Sequence, residues 1–379
     1  NGVMKQFNLI ATSGQGIEAL VAKELNNLGY QTRTENGFVR FSGNQRDILK
    51  TNIWLRTADR IKILVGEFHT LRFDDLFESV KALPWSELIN WDDQFPVMEA
   101  HSRDSQLFSV PDIQRITKKA IVEALRSQTG HEDLPETGKH VGIDIRIDKN
   151  NVRIMIDTSG ESLFKRGYRT EHGGAPLKEN FAAALVLLTN WFTDNPFVDP
   201  VCGSGTIPIE AALIGKNIAP GINRTFEIES WAWFDKKLSQ DVREEADSLA
   251  KYDQPLDISG YDIDGNMIRI SKENAKKAGL YNDIAFKQLA VKDWQTDKIN
   301  GILVANPPYG QRLGEIEDAR QIYQQMGSIY NQMPTWSKYI LTSDEKFEQF
   351  YGKKATKKRK LYNGPIRTDL YQYWGKKVR

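Results

Sequence analysis

Two spacings of apolar residues alternate along this chain, one near two and one near 3.6, and their order predicts its architecture. QFNLIAT (6–12) reads as a strand. GIEALVAKELNNLGY (16–30) puts Ile17, Leu20, Val21, Leu25 and Leu28 at helical spacing before Gly29 closes the run. TENGFVRFSG (34–43) carries Asn36-Gly37, a hairpin signal because both positions of a tight turn need positive φ. The spacing then predicts a helix over 45–58, a strand over 61–68, a helix over 73–89 and a strand over 96–103. A long helix over 110–130 opens with proline and acid, where both are favoured. VGIDIRIDKNNVRIMIDTSG (141–160) alternates strictly on both sides of a Lys149-Asn150-Asn151 turn, so it is a hairpin. The front of the chain is therefore expected to be α+β.

Past the junction SLFKRGYRTEHGGAPLKENFAAAL the pattern changes to strands alternating with helices. A helix over 177–193 leads into PFVDPVCGSGT (196–206), a helix over 207–215 and an insert rich in Trp and charge over 216–256. DISGYDID (257–264) is a strand ending in acids, followed by a helix over 265–279. IAFKQLAVKDW (284–294), GILVANPPYG (301–310), a helix over 315–333, KYILTSD (338–344) and TDLYQYWGKK (368–377) complete the set. This order predicts an α/β doubly wound sheet.

Composition narrows the class. At 379 residues the chain exceeds one average domain. Its 40% hydrophobic and 27% charged content is that of a soluble globular protein. No run approaches a membrane span, and no charged-then-apolar leader is seen, so neither a span nor a signal peptide is expected. One cysteine, Cys202, excludes an internal disulfide, and the five histidines lack metal-ligand spacing, so no metal site is expected and a cytoplasmic location fits. The net charge of +1 is near neutral, but KKATKKRK (353–360) places six basic residues in eight positions. Beside Tyr351, Tyr362, Tyr371 and Tyr373, that run is either a solvated loop or a basic and aromatic surface for phosphates and bases.

Four strand ends carry the chemistry. In DPVCGSGT (199–206) glycines follow a buried strand, the arrangement that lets backbone approach a nucleotide-like ligand. It lacks both the dinucleotide and the P-loop signatures, so a diphosphate is disfavoured, and Asp199 suits a ligand with a cationic amine. Asp262 can accept both hydroxyls of a ribose, while Asp264 is expected to cap the next helix. Asp293 is expected at an adenine edge, with Val291 or Ala290 near the ring. After the fourth strand, Asn306-Pro307-Pro308-Tyr309 fixes two carbonyl acceptors and an aromatic ring. The Asn306 side-chain carbonyl and the Pro307 backbone carbonyl can accept the two N–H bonds of a planar amine, and Tyr309 can stack on it. Arg166 and Arg169 are expected to pair with acids, Trp231 and Trp233 to form the insert's core, and Cys202 to be a small spacer.

Glycine loop, ribose acid and third-strand acid, in this order, resemble the class I S-adenosylmethionine-dependent methyltransferases. The front of the chain resembles a small ferredoxin-like domain followed by a THUMP RNA-binding domain. Together they are similar to the THUMP-containing 23S rRNA guanine-N2 methyltransferases, whose members are often labelled N6-adenine-specific DNA methylases because of NPPY. The resemblance implies a ferredoxin-like domain over 4–64, a THUMP domain over 65–162 and a Rossmann-like, mostly parallel seven-stranded methyltransferase domain over 163–379. It implies that Pro176, Leu177, Lys178, Glu179 and Asn180 border the cofactor pocket. It places S-adenosylmethionine on Asp199, Pro200, Cys202, Gly203, Ser204, Gly205, Thr206, Asp262, Ile263, Val291 and Asp293, and the target amine on Asn306 to Tyr309. The implied partner is RNA, 23S rRNA or a precursor ribosomal particle. Two other readings stay open: an N6-adenine methyltransferase acting on DNA or RNA, and a non-catalytic RNA-binding assembly factor.

Overall fold

The computed structural model describes residues 5–169 and 177–379. The chain divides into two compact units. The first holds residues up to Ser13, Ala22–Leu163 and Arg224–Glu245, and the second holds Gly14–Val21, Phe164–Asn223 and Ala246–Arg379.

In the first unit, β1 (Phe7–Thr12), β2 (Arg33–Glu35), β3 (Phe38–Gly43), β4 (Arg60–His69), β5 (Val97–Arg103), β6 (Ile143–Asp148) and β7 (Asn151–Asp157) form one sheet in the order β2-β3-β1-β4-β7-β6-β5. Helices α1 (Glu18–Asn27, which begins in the second unit's segment), α2 (Gln45–Trp54), α3 (Phe73–Lys81) and α4 (Val110–Thr129) accompany it. Both hairpins read from the sequence form, although at Asn36-Gly37 only the glycine takes positive φ. Gly37 has φ +85°, and Lys149 and Asn150 sit at φ +50° and +66°. α4 is capped at one end by the Ser109 hydroxyl and at the other by left-handed Gly130. The helix expected over 73–89 stops at Lys81 and resumes as a 3-10 turn at Trp85–Glu87. Pro84 explains the break, since it has no N–H for the helix and biases Leu83 away from αR. β4 crosses the expected boundary at 64/65, pairing β1 through Ile63 and β7 through His69 with a bulge between Leu64 and Gly66. The front region is thus one continuous sheet. Trp231 and Trp233 do not form a core of the insert's own. They pack in the first unit, with Trp231 Nε1 donating to the His140 carbonyl and Trp233 Nε1 to that of Leu88.

In the second unit, β8 (Phe197–Asp199), β9 (Ile258–Asp262), β10 (Ile284–Gln288), β11 (Ile302–Ala305) and β12 (Ser337–Thr342) are parallel. β13 (Lys357–Asn363) and β14 (Ile366–Tyr373) form a hairpin in which β14 pairs antiparallel with β12, so β13 at the edge runs the same way as the five, giving the order β10-β9-β8-β11-β12-β14-β13. The helices are α5 (Glu179–Leu187), α6 (Thr206–Gly215), α7 (Lys237–Leu249, which starts in the first unit's segment), α8 (Gly265–Lys277), α9 (Ile316–Tyr330) and α10 (Phe347–Tyr351). All four residues of β11 are buried, as a central parallel strand requires. The strand order reverses between β8 and β11, the switch point where ligands lodge in open α/β sheets.

The basic run 353–360 is not a loop. Its second half is edge strand β13, and Tyr351, Tyr371 and Tyr373 beside it are buried, so they offer no face to a base. Gly327 of α9 tests the packing behind this hairpin. A Cβ there would meet the Tyr351 carbonyl oxygen at 1.7 Å, whereas at Gly14 it would meet nothing within 4 Å. Thermal denaturation of Gly327→Ala is expected to report a loss of roughly 3 kcal/mol, the upper end for overpacking, with Gly14→Ala within about 0.5 kcal/mol of wild type.

Candidate active site

Every group assembled here lies at the carboxyl edge of the second unit's sheet. β8 ends on Asp199, which is 1% exposed. Its Oδ1 accepts the Val201 N–H at 3.1 Å. The chain then passes through Gly203 (φ +53°) and Gly205 (φ +87°) into α6. Gly205 has no room for a side chain, since a Cβ would come 3.0 Å from Ser271 and 3.1 Å from Phe286. At the end of β9, Asp262 accepts the Gly203 N–H at 3.0 Å through Oδ2 and the Asp264 N–H at 2.9 Å through Oδ1. Asp264 caps α8 by accepting the Asn266 N–H, as its position predicted. Ser271 and Asn274 of α8 donate to the Gly203 and Ser204 carbonyls, so the turn is tied down on both sides.

Burial, then the neighbouring Asp262, push the Asp199 carboxyl well above the usual carboxylate range, against the single Val201 N–H that favours the charge. Among the described residues no Lys or Arg lies within salt-bridge range of Asp199 or Asp262. Burial likewise pushes the Cys202 thiol up, and its Sγ rests 3.8 Å from Ser271 Oγ. Burial and a raised thiol both disfavour the reactive thiolate form.

Residues 177–180 open α5, and Pro176 lies outside the described residues. Arg169 joins this helix start to the glycine turn. Its guanidinium donates to Ser204 Oγ, Thr206 Oγ1, the Leu177 carbonyl and Glu179 Oε1 at 2.7–3.0 Å. Burial raises the Glu179 carboxyl, and Arg169 opposes the rise. Asn180 Oδ1 accepts the Phe181 N–H, while exposed Lys178 lies over the Phe164 ring. Arg166 pairs with fully buried Glu210 at 2.9 Å, and the Tyr168 hydroxyl donates to the same carboxylate. The arginines do pair with acids, and Arg169 also welds two expected site segments together.

A cavity of about 890 Å³ opens beside this edge. Pro200, Asp262, Ile263 and Val291 line it together with Asn306, Pro307, Pro308 and Tyr309. Asp199, the turn residues 202–206, residues 177–180 and Asp293 are not among its walls: Asp199 is buried, Asp293 is exposed in the 3-10 turn Val291–Asp293, and Leu289, Ala290, Val291 and Lys292 make the wall there. The helix face of Asp318, Gln321, Ile322 and Gln325, and the hairpin residues Asn363 and Ile366, form walls that sequence reasoning missed. Asn363-Gly364 was a readable hairpin signal, obscured by the basic run before it.

The NPPY turn is held from behind. The Tyr323 hydroxyl of α9 donates to the Pro308 carbonyl at 2.5 Å and contacts Thr342 Oγ1 at 2.9 Å. Tyr309 is not a free plate. Its hydroxyl donates to Asn306 Oδ1 at 2.5 Å and accepts from Asn363 Nδ2 at 3.2 Å, and its ring packs against the unit's core. The amide oxygen is thus occupied by the chain's own phenol. Among the described residues no group of three or more His, Cys, Asp or Glu is placed to hold a metal ion.

Five parallel strands, an antiparallel hairpin reversed at the end, and a glycine turn at the switch point constitute the class I methyltransferase fold. The chain belongs to the RMKL-like methyltransferase-domain family, whose model matches residues 166–372. Residues 8–62 match the RlmL ferredoxin-like domain and residues 72–157 the THUMP domain. The chain is 54% identical to the Bacillus subtilis protein named "Putative RNA methyltransferase YpsC", over 98% of this chain and 97% of that one. It is 34% identical to the ribosomal RNA large subunit methyltransferase K/L of Cellvibrio japonicus, over 96% of this chain but only 50% of the relative, so it spans about half of that enzyme's length. Among solved structures, SMU.472, "a putative methyltransferase complexed with SAH", is 53% identical, covers 99% of this chain and 100% of its own, and superposes with a TM-score of 0.95.

Asp199 offers a test of the cradle. An acid that titrates higher in the folded chain than in the unfolded one holds its proton more tightly when folded. Ligand-free stability therefore falls as pH rises from about 4 toward the raised value. Asp199→Asn keeps the acceptor for Val201 and removes the buried charge. The variant is expected to melt higher than wild type near neutral pH, by about 2–4 °C per kcal/mol relieved, and its stability should fall less steeply with pH.

Proposed function

We propose that this chain is an S-adenosylmethionine-dependent RNA methyltransferase that methylates the exocyclic N2 amine of a guanine in 23S rRNA. The observation that carries the reading is the cavity in which Asp262, Ile263 and Val291 face the same space as the NPPY turn. The donor set fits the cofactor. Buried Asp199 and neighbouring Asp262 lack a basic partner among the described residues, and a ligand bearing an ammonium and a sulfonium supplies positive charge. Asp262 serves the ribose, and Leu289 to Lys292 the adenine, in place of the exposed Asp293. Relatives carrying ribosomal RNA methyltransferase names, a neighbour complexed with SAH and the THUMP match support the same reading. Cytoplasmic rRNA is the corresponding substrate pool.

When bound, the cofactor supplies an electrophilic methyl group, so the protein needs no nucleophile of its own. The chain's task is to hold a weakly nucleophilic amine. Asn306 Oδ1 and the Pro307 carbonyl accept its N–H bonds, which draws electron density toward nitrogen and turns the lone pair toward the methyl. The Tyr309 hydroxyl now holding Asn306 is exchanged for the amine N–H, and the released ring stacks on the base. The prolines, with Tyr323 behind them, keep both acceptors fixed during the exchange.

Undermethylated 23S rRNA incubated with the protein and labelled cofactor is expected to yield N2-methylguanosine on mass spectrometry of the digested nucleosides. Label found only as N6-methyladenosine would move the target to adenine. RNA binding with no transfer would leave a non-catalytic factor. Asn306→Ala is expected to lower kcat/KM by about 100- to 1,000-fold, the effect of losing one fixed polar contact to the reacting group, while cofactor affinity stays at the wild-type value. Tyr309→Ala should lose about 1–3 kcal/mol of stacking, ~5- to 150-fold, whereas Tyr309→Phe keeps the ring and should retain most of the rate.

A further inference from the structure

The first unit's sheet has a second face that the proposed reaction leaves unused. Along β7, Val152, Ile154 and Ile156 are buried, and Arg153 alternates to the opposite face with Met155 and Asp157. Strand register makes a row there: Glu67 of β4 is opposite Arg153, Arg153 is opposite Arg146 of β6, and Arg146 is opposite His101 of β5. Two guanidinium groups directly opposite one another weaken a sheet unless something anionic joins them.

The acids in reach are already engaged. Arg40 takes Glu67 through both terminal nitrogens and also holds Glu35. Arg146 has Glu99 at 3.5 Å and Asp144 at 3.6 Å, and Asp144 is also the partner of Lys62. His101 lies 3.8 Å from the same Glu99. Arg153 has no carboxylate within salt-bridge range among the described residues, and its Nε has no hydrogen-bond partner. Its guanidinium carbon sits 4.2 Å from the centroid of the Phe38 ring, and that of Arg40 is 5.3 Å from the same ring. The aromatic face fixes a half-buried guanidinium in place; its Nε is shut off from solvent, and the terminal nitrogens have no carboxylate within salt-bridge range among the described residues. Burial, and then the charges of Arg146 and Arg40, disfavour its positive charge; Glu35 and Glu67 offset this only in part, and a further anion would relieve it.

We propose that Arg153 and Arg146, flanked by His101 and Arg40, form a binding site for the phosphodiester backbone of RNA on this face of the first unit. The planar fork of Arg153 takes one phosphate and Arg146 its neighbour, with the acids of the row keeping contacts to a few phosphates. The site carries no base readout. It rests on the RNA reading above only for the identity of the polyanion.

The test is binding of in vitro transcribed 23S rRNA to the full chain, measured across about 50–200 mM salt. Each of Arg153→Gln and Arg146→Gln is expected to weaken binding several-fold and to reduce the slope of log affinity against log salt by about one. Arg153→Lys should keep the slope, and Arg115→Gln, which removes an exposed charge of α4, should behave as wild type. Cofactor affinity, read by calorimetry, should be unchanged in all four, which separates lost contacts from lost folding. If both glutamine variants keep the wild-type affinity and slope, or if Arg115→Gln loses as much as they do, the inference is wrong and the RNA reading stands. A wild-type chain with no salt-dependent affinity for RNA overturns both.

Discussion

A buried carboxylate without a cation is the constraint around which the second unit is arranged. Asp199 sits at the end of a central parallel strand, where there is little water and no basic side chain among the described residues to balance it. Such a group is expensive to keep, and the surrounding geometry exists to keep it there. Parallel pairing of β8 with β9 and β11 sets its position, and the left-handed glycines let the turn bend back so that the Gly203 N–H reaches Asp262. Asp262 in turn is held by two backbone donors. The edge is a pair of acids fixed by backbone, with cation-binding capacity unspent.

The opposite wall of the cavity follows a different principle. The NPPY turn is stiff by covalent constraint and by Tyr323, and the Tyr309 hydroxyl fills the Asn306 acceptor. Keeping that oxygen hydrogen-bonded avoids an unsatisfied polar group beside a partly apolar cavity, and an incoming N–H can replace an O–H at little net cost. The hairpin residue Asn363 shares the Tyr309 hydroxyl, so the last two strands of the sheet contribute to the site as well as to the edge.

Much of this was readable from residues alone. Periodicity located nearly every element, because each long helix and central strand has one buried face of consistent spacing. The ordered acids and glycines located the sheet edge for the same reason, since those positions depend on backbone geometry that leaves a local signature. Three features were not legible. Asp293 was expected at the cofactor by its place after the third strand, but that β10 ends at Gln288 and that the acid sits exposed in a 3-10 turn was not readable. The basic run looked like a loop because charge masked the strand alternation and the Asn363-Gly364 turn. Arg169 was expected to pair with an acid, but its bridge from Glu179 to Ser204 and Thr206 depends on how α5 and α6 approach, which no local pattern encodes.

The role of Asp199 as an acid awaiting a cation is the point most directly open to test. Calorimetric titration of S-adenosylmethionine into the wild-type chain and into Asp199→Asn compares their affinities directly. The predicted result is that the variant, which cannot take up the negative charge, loses most of the affinity. A variant that binds as tightly as the wild type does would contradict it.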